Sequence, residues 1–492
     1  MNRKNLSVWL DKVIKIAWAI LFLTLPVTSF PFFPSGLGGA TLVRPLAVYP
    51  LIILLVLVTV PYLINRPLPR TLLPLLAFLV IAVISSLVSL SYGLEALKGV
   101  SIASRLLRNM VTLSVGIAFY LGMISLNRNW HDLKFSLRWL YIGFGAALFW
   151  GTLQIPNVIH PVPGYFALLS KIQSLISTRK LFMTRISGMT YEPKWFAEQL
   201  CFLLLPWLLS AVVSRQSVFR WRYKWLTVEW ILLLWTYLVI VFTFSRTGLF
   251  ILGILTLVGA WLFRYFSRHR QTVYTSRWLR TKKRRAVIVT VVALGAIALV
   301  SAAVAQNPYF SRFWRYWTDE ASRNKSYLEY IGFQQRFVYW ITAFRTYEEH
   351  PLLGVGLGNY AFYFEEMLPD RPWHQQPEIV RQITPVEGRD RLITPKNLYA
   401  RLLAETGLMG TIAFTSFVVA VLGCALYLWF SPALDQKYWG LCGILGILVF
   451  SIVIFSFDSF ALPNMWIVFG LITAAAHLSD PPFRPPEGGT LL

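Results

Sequence analysis

Arginine at the end of a long apolar run is the most chemically pointed feature of this sequence. Arg246 stands in Thr243-Phe-Ser-Arg-Thr-Gly248, between two apolar runs joined almost without a loop. A guanidinium is permanently charged, and its planar fork of donors fits phosphate oxygens. Arg185 precedes another such run, in Thr184-Arg-Ile-Ser-Gly-Met-Thr-Tyr-Glu-Pro-Lys-Trp-Phe-Ala-Glu-Gln-Leu200, together with Glu192, Lys194 and Glu198. Ionisable groups at that depth are expensive and tend to face a cavity or a partner. Arg185 and Arg246 on one side of a membrane form a candidate anion site; the plainer alternative is that Arg185 and Glu192 merely pair with each other. A third group lies in Asn397-Leu-Tyr-Ala-Arg-Leu-Leu-Ala-Glu-Thr-Gly407. There Glu405 is either a carboxylate for proton transfer or the helical ion-pair partner of Arg401, four residues earlier.

The elements that must hold these groups are membrane helices. The chain is 56% hydrophobic and only 14% charged, with a mean hydropathy of +0.57, which excludes a soluble globular protein. Twelve apolar runs reach about the length that crosses roughly 30 Å of hydrocarbon: 13–33, 44–64, 71–91, 109–126, 138–155, 195–214, 227–244, 247–264, 286–305, 398–430, 438–457 and 459–477. The expected fold class is an all-α polytopic membrane protein with one large extracytoplasmic loop containing helices. Residues 1–305 hold the first nine helices, 306–397 the loop, 398–477 the last three, and 478–492 a cytoplasmic tail. The first run lacks a small-residue cleavage site and is followed by further spans, so it reads as a span and not a cleaved signal.

A net charge of +24 could indicate a nucleic-acid binder, but its distribution argues otherwise. Nine Lys and Arg lie between Arg264 and Arg285 and four between Arg215 and Lys224, whereas loop 306–397 carries eleven bases and eleven acids. This is the positive-inside pattern, with both termini in the cytoplasm, the loop outside, and the excess charge touching anionic lipid. Cys201, Cys424 and Cys442 all fall in apolar runs, and the six histidines are scattered. Neither a disulfide framework nor a protein-held metal is expected, and no cofactor.

Some ninety residues, from about Asn307 to Asn397, contain no window able to span a bilayer. Phe333, Phe337, Ile341, Phe344 and Tyr347 recur at helical spacing, which predicts an amphipathic helix with Gln335, Arg336 and Arg345 on its other face. It stops before His350-Pro351. The glycines at 354, 356 and 358 have no strand before them, so they read as a tight turn against neighbouring backbone and not a dinucleotide loop. Residues 164–176 read as an interfacial or re-entrant piece. Arg105 and Arg108 sit in an outer connection, 92–108, as snorkelling residues.

Three patterns together resemble the O-antigen ligase and O-antigen polymerase superfamily. They are S-R-x-G at an outer helix end, R-x3-W-x2-A-x6-H-P-L-L-G-V-G-L-G-N, and N-L-Y-x-x-L-L-A-E-T-G-L-x-G opening a span. The resemblance covers roughly residues 184–415. It implies a metal-independent inverting glycosyltransferase of the bacterial inner membrane, acting on the extracytoplasmic face. Its donor would be a glycan on a polyprenyl (undecaprenyl) diphosphate, and its acceptor a growing polysaccharide or the lipid A–core of lipopolysaccharide. Carried over by position, Arg185 and Arg246 hold the leaving diphosphate and Arg336 matches the arginine of the loop helix. Ligases carry histidine directly before the Asn-Leu-Tyr segment. Here Lys396 precedes Asn397, and lysine is a poor base unless its pKa is strongly lowered, which favours a polymerase over a ligase. Glu192 and Glu405 are the candidate bases for the acceptor hydroxyl. His374 is a weaker one, grouped with Arg336, Lys396 and Asn397 as substrate-binding.

A secondary transporter or lipid-linked oligosaccharide flippase is the rival from another class. It should show an internal repeat and matching midplane charges in both halves, and only Glu405 and Glu198 come near that pattern. A non-catalytic scaffold would leave the arginines unexplained. The orientation is directly testable. Cysteine at Gln376 should be labelled by an impermeant thiol reagent in intact cells, and cysteine at Ser276 only after lysis; the reverse would put the arginines on the wrong side.

Overall fold

The computed structural model describes residues 3–33, 42–224, 226–269, 307, 311, 315–318, 320, 326–330, 332–369, 377–384 and 392–479. The apolar run 286–305, His374 and the C-terminal tail from 480 lie outside them. The described chain is mostly helical. Its only strands are two of two residues each, β1 (Arg222–Tyr223) and β2 (Leu226–Thr227), paired antiparallel. Eight helices are long and apolar enough to cross a membrane. They are α2 (Val48–Asn65), α3 (Leu72–Leu90), α4 (Ile102–Leu126), α5 (Trp130–Ile159), α7 (Pro193–Ser214), α9 (Arg246–His269, apolar through Arg264), α12 (Leu398–Phe430) and α13 (Leu434–Val453). Two apolar helices are shorter, α8 (Val228–Phe242) and α14 (Asn464–Ser479). Outside this set stand α1 (Arg3–Thr24), α6 (Pro163–Ile176), α10 (Gln334–Glu349) and α11 (Pro377–Ile383).

The count of twelve is therefore not reproduced among the described residues, for local reasons. The first run was expected to 33, but α1 ends at Thr24, two residues before Pro26. The run 227–244 is cut at Phe242 by a tight turn. The run 459–477 becomes helical only after Pro463. Conversely, α4 starts at Ile102, where Ser101 Oγ accepts the Ser104 N–H at 3.3 Å as N-cap, so Arg105 and Arg108 lie in the helix and not in an outer connection. In α2 and α7 one five-residue stretch widens to π geometry, Leu55–Thr59 and Leu200–Leu204. Each ends two residues before a proline, Pro61 and Pro206; proline has no N–H to give, and the wider turn absorbs the missing bond.

The chain divides into two compact units, residues 1–140 with 327–492, and residues 141–326. In the first, α12 is the hub, packed on α3, α10, α13 and α14, while α14 also packs on α4. In the second, α7 packs against α8 and α9, and α7 is buried along its whole apolar length.

The hub helix is broken at Gly407, whose backbone (φ 60°, ψ −164°) is not helical. The segment His350-Pro-Leu-Leu-Gly-Val-Gly356 lies along the break. Val355 and Gly356 donate to the carbonyls of Ala404 and Glu405, both at 2.9 Å, and Leu408 and Met409 donate to Pro351 and Leu352 at 2.8 and 3.2 Å. The approach leaves no room for side chains. A Cβ on Gly407 would fall 2.4 Å from the Leu352 carbonyl, and one on Gly354 2.6 Å from the Ala404 oxygen. Both contacts are with backbone, and both glycines have positive φ, as the tight-turn reading of Gly354 requires. Gly407→Ala should therefore cost about 3 kcal/mol or more from overpacking and left-handed strain. Gly423→Ala, in the same helix with nothing within 4 Å, should be neutral or stabilising by up to about 1 kcal/mol. Thermal unfolding of the two variants in detergent separates these outcomes.

Candidate functional site

In the second unit, Arg185 and Arg246 are brought to one end by backbone. After α8, Thr243 and Phe244 turn sharply, with Phe244 at φ 47°, a left-handed conformation costly for a bulky residue. Ser245 then caps α9: its carbonyl accepts from Leu249 at 2.8 Å and its Oγ from Gly248 at 3.3 Å. Arg246 is the first residue of α9 and is exposed. Gly248 is needed because a Cβ there would lie 2.6 Å from the Ala197 methyl on α7. The Ser-Arg-x-Gly pattern is thus a capped helix start held tightly against a neighbour. The N–H of Ile186 donates to the Phe242 carbonyl at 3.1 Å, which pins the residue after Arg185 to the end of the helix that precedes Arg246.

The stretch around Arg185 is held by a residue the sequence reading passed over. Gln154, on α5 and buried, accepts the N–H groups of Ser187 and Gly188 at 3.0 and 3.1 Å and donates to the Gly188 carbonyl at 3.1 Å. Asn307 Nδ2 donates to the Thr184 carbonyl at 2.8 Å. The alternative pairing of Arg185 with Glu192 is not what forms. Glu192 takes Arg179 Nη1 at 2.6 Å, and Arg179 also stacks over Phe182 and Tyr191 at 4.5 and 5.0 Å. Arg185 is half-buried, over the Phe182 ring at 5.2 Å. The sequence cue for Arg179 was a base at the end of the interfacial helix α6, thirteen residues before a glutamate. Lys194 and Glu198 form the next pair on α7, 3.5 Å apart, with Glu198 buried.

In the first unit the candidates split into two groups. Glu405 is 1% exposed and receives Arg401 Nε at 2.8 Å. Arg401 donates its other nitrogens to the Asp458 carbonyl at 2.6 Å and to Asn109 Oδ1 at 2.7 Å. Asn109 in turn donates to the Arg105 carbonyl at 2.9 Å, and Arg105 Nε donates to the Gly358 carbonyl at 3.0 Å. Arg105 is therefore not a snorkelling residue; it fastens the glycine segment. Of the two readings of Glu405, the geometry is that of the ion-pair partner.

The other group reaches the surface through Lys396 and Glu378, whose side chains are 36 and 44% exposed. Lys396 Nζ lies 3.1 Å from Glu378 Oε1 and 4.3 Å above the Tyr339 ring, and the Tyr339 hydroxyl donates to the same Glu378 oxygen at 2.9 Å. Burial raises the Glu378 carboxyl, but the Lys396 charge and the two hydrogen bonds outweigh it and leave the group below its ordinary range. Stability from this contact is therefore present above the ordinary glutamate range and is lost as pH falls through the lowered value. Burial, and then the Glu378 carboxylate, push the Tyr339 hydroxyl up, so it stays a donor. Lys396 has φ 54° and its N–H donates to Asp458 Oδ2 at 2.8 Å. Asn397 is buried as the N-cap of α12, its Oδ1 accepting from Ala400 at 3.2 Å. Arg336, in the first turn of α10, has its Nη1 buried without a hydrogen-bond partner. Sequence reasoning missed Glu378 and Tyr339, because nothing in their spacing links them to Lys396.

With this geometry in view, comparison with known families is informative. Residues 231–415 match the family model described as O-Antigen ligase. This segment is similar to the O-antigen ligase family over that range. It includes Arg246, Arg336, Lys396, Asn397 and Glu405, and it begins after Arg185 and Glu192. No curated protein matches the chain. The family is enzymatic and of membrane glycosyltransferase type. Among the described residues, no group of three or more His, Cys, Asp or Glu side chains is placed to hold a metal ion.

The position of Glu405 in the matched segment yields a test. Glu405→Gln keeps an acceptor for Arg401 but leaves the buried guanidinium without its counter-charge, so stability should fall by about 3 kcal/mol. Turnover per folded molecule should stay within several-fold of the natural chain. A loss of about a hundredfold per folded molecule, the scale of a missing general base, would return Glu405 to the chemistry.

Proposed function

We propose that the protein is a membrane-embedded inverting glycosyltransferase. It acts on the extracytoplasmic face of the bacterial inner membrane and extends or transfers a glycan carried on a polyprenyl diphosphate. The bond between the anomeric carbon and the diphosphate oxygen breaks, and its electron pair goes to the diphosphate. The acceptor hydroxyl forms the new glycosidic bond from the opposite side and gives up its proton. The single observation behind this reading is the hydrogen bond from Ile186 to Phe242. It sets Arg185 at the same end of its unit as Arg246, beside the N-terminus of α9, where backbone N–H groups and the helix dipole also favour an anion. Two guanidinium groups there stabilise the charge that develops on the leaving diphosphate.

Glu192 is assigned the acceptor proton. Its side chain is 37% exposed, whereas Glu405 is enclosed. Arg336, with a buried nitrogen left unpaired, Lys396 and Asn397 serve the glycan, and His374 is assigned the same role. Lys396 stands in the position of the ligases' histidine and pairs with Glu378, which favours polymerisation over transfer to lipid A–core.

Purified protein supplied with a radiolabelled polyprenyl-diphosphate glycan should give a ladder of lengthening products. Arg246→Ala should lower turnover per folded molecule about a hundredfold, or roughly 3 kcal/mol of transition-state stabilisation. Arg246→Lys should recover little of it, because the fork geometry is gone. Near-normal turnover in a destabilised Arg246→Ala protein would remove the residue from the chemistry, and a single transfer to lipid A–core without a ladder would make the protein a ligase.

A further inference from the structure

The helical spacing of Phe333, Phe337, Ile341 and Phe344 predicts an amphipathic helix with these residues on its apolar face. The helix forms, but it packs by a different face. Val338, Tyr339, Thr342, Ala343 and Thr346 are buried in the contact with α12. Phe337, Ile341 and Phe344 are left 37, 42 and 52% exposed. A helix with two apolar faces, one filled by protein, has a second medium to meet.

That medium is identified by what the exposed face runs into. Phe333 and Phe337 have ring centroids 5.3 Å apart, Phe337 and Trp340 5.5 Å, Trp340 and Phe455 6.4 Å, and Phe455 and Tyr399 4.9 Å. Tyr399 is the second residue of α12 and Phe455 lies two residues past the end of α13; both are exposed. The ring chain therefore continues from α10 onto the ends of two helices able to cross a membrane. Farther along α12, Ile412 and Val419 present the lipid-facing surface at 57 and 58% exposure. Aromatic side chains at the end of a span are those that settle at the headgroup level. In the last turn of α10 the exposed residues change to Glu348 and Glu349, so the apolar face is limited to the first three turns. Arg336, in the first turn, and Lys396, over the Tyr339 ring, put positive charge at the N-terminal end of the helix, complementary to phosphate headgroups.

We propose that α10 lies in the plane of the outer leaflet, its Phe337–Ile341–Phe344 face in lipid and its opposite face on α12. The segment between spans is thereby anchored to the same bilayer that holds them. This inference does not depend on the glycosyltransferase reading.

The experiment uses the full chain in liposomes of phosphatidylethanolamine and phosphatidylglycerol. Cys201, Cys424 and Cys442 are replaced by alanine, and a nitroxide is attached to single cysteines at Phe337, Ile341 and Phe344. Labels at Ile412 and Val419 serve as lipid references and one at Glu349 as the aqueous reference. Collision with oxygen relative to a water-soluble nickel chelate should be several-fold higher at the three α10 positions than at Glu349, in the direction of Ile412. Nickel accessibility equal to that of Glu349 would overturn the proposal, and so would protection from both reagents, which would mean a second copy or another protein covers the face. If the cysteine-free chain unfolds, the natural chain is irradiated with a phosphatidylglycerol carrying a diazirine in its acyl chain. Adducts within 333–345 are expected; adducts confined to 408–430 would sink the idea.

Discussion

A backbone polar group inside a membrane protein has to be met by protein, because hydrocarbon offers it nothing. The break at Gly407 creates that demand in the middle of the hub helix. Four backbone groups there, the carbonyls of Ala404 and Glu405 and the N–H groups of Leu408 and Met409, are met by residues 351–356. Without the glycine segment the break would expose unpaired groups, each costing about 1–3 kcal/mol. Without the break, the segment would have nothing to bind. Two sequence patterns that lie some fifty residues apart are thus one structural device. It ties residues 351–356 to α12 at a fixed register.

The buried charges depend on that device. Arg401 and Glu405 face each other one turn before the break, and a buried pair is tolerable only if its remaining donors and acceptors find partners. Arg401 finds them in the Asp458 carbonyl and Asn109, and Asn109 leads on to Arg105, which returns to the glycine segment at Gly358. Ser85 Oγ, 2.6 Å from the Leu353 carbonyl and 3.0 Å from that of Glu405, adds a contact from α3. The network is closed on protein except at Glu405 Oε1, which is buried without a hydrogen-bond partner. That suits support and not turnover, since a group that must give or take a proton gains from access to what it serves.

Periodicity and punctuation made part of this legible in the sequence. Helix α10 was legible from its spacing, the turn at Gly354 from glycine after His350-Pro351, and the helix-end setting of Arg246 from two apolar runs meeting without a loop. What spacing could not give was partner choice. Arg185 and Glu192 are seven residues apart and look like a pair, yet Arg179 is the base that reaches Glu192, because the 187–188 turn is held on Gln154 and directs Arg185 to the Phe182 ring. Arg105 looked like a snorkelling residue because its run of polar neighbours hid a helix that Ser101 had already capped. The face by which α10 meets protein was not legible from its spacing for a related reason. Hydrophobicity marks a face that avoids water, and in a membrane protein that face can avoid it in lipid as well as in protein.

The strained turn before Arg246 shows how backbone sets the start of its helix. Phe244 at φ 47° forfeits of order 1–3 kcal/mol, so the surrounding contacts must determine it. They do so through Thr243, Phe244 and Ser245, each bonded to the helix before or after it. The result is a helix that begins at Arg246 directly after another has ended, with no loop to let its first turn move. An arginine placed by the start of its own helix keeps its charge near the free N–H groups of that first turn. Electrostatic stabilisation of a leaving group is strongest when the donors need no rearrangement during the reaction. The rigidity of the 243–246 turn is therefore the property by which this end of the unit suits an anion.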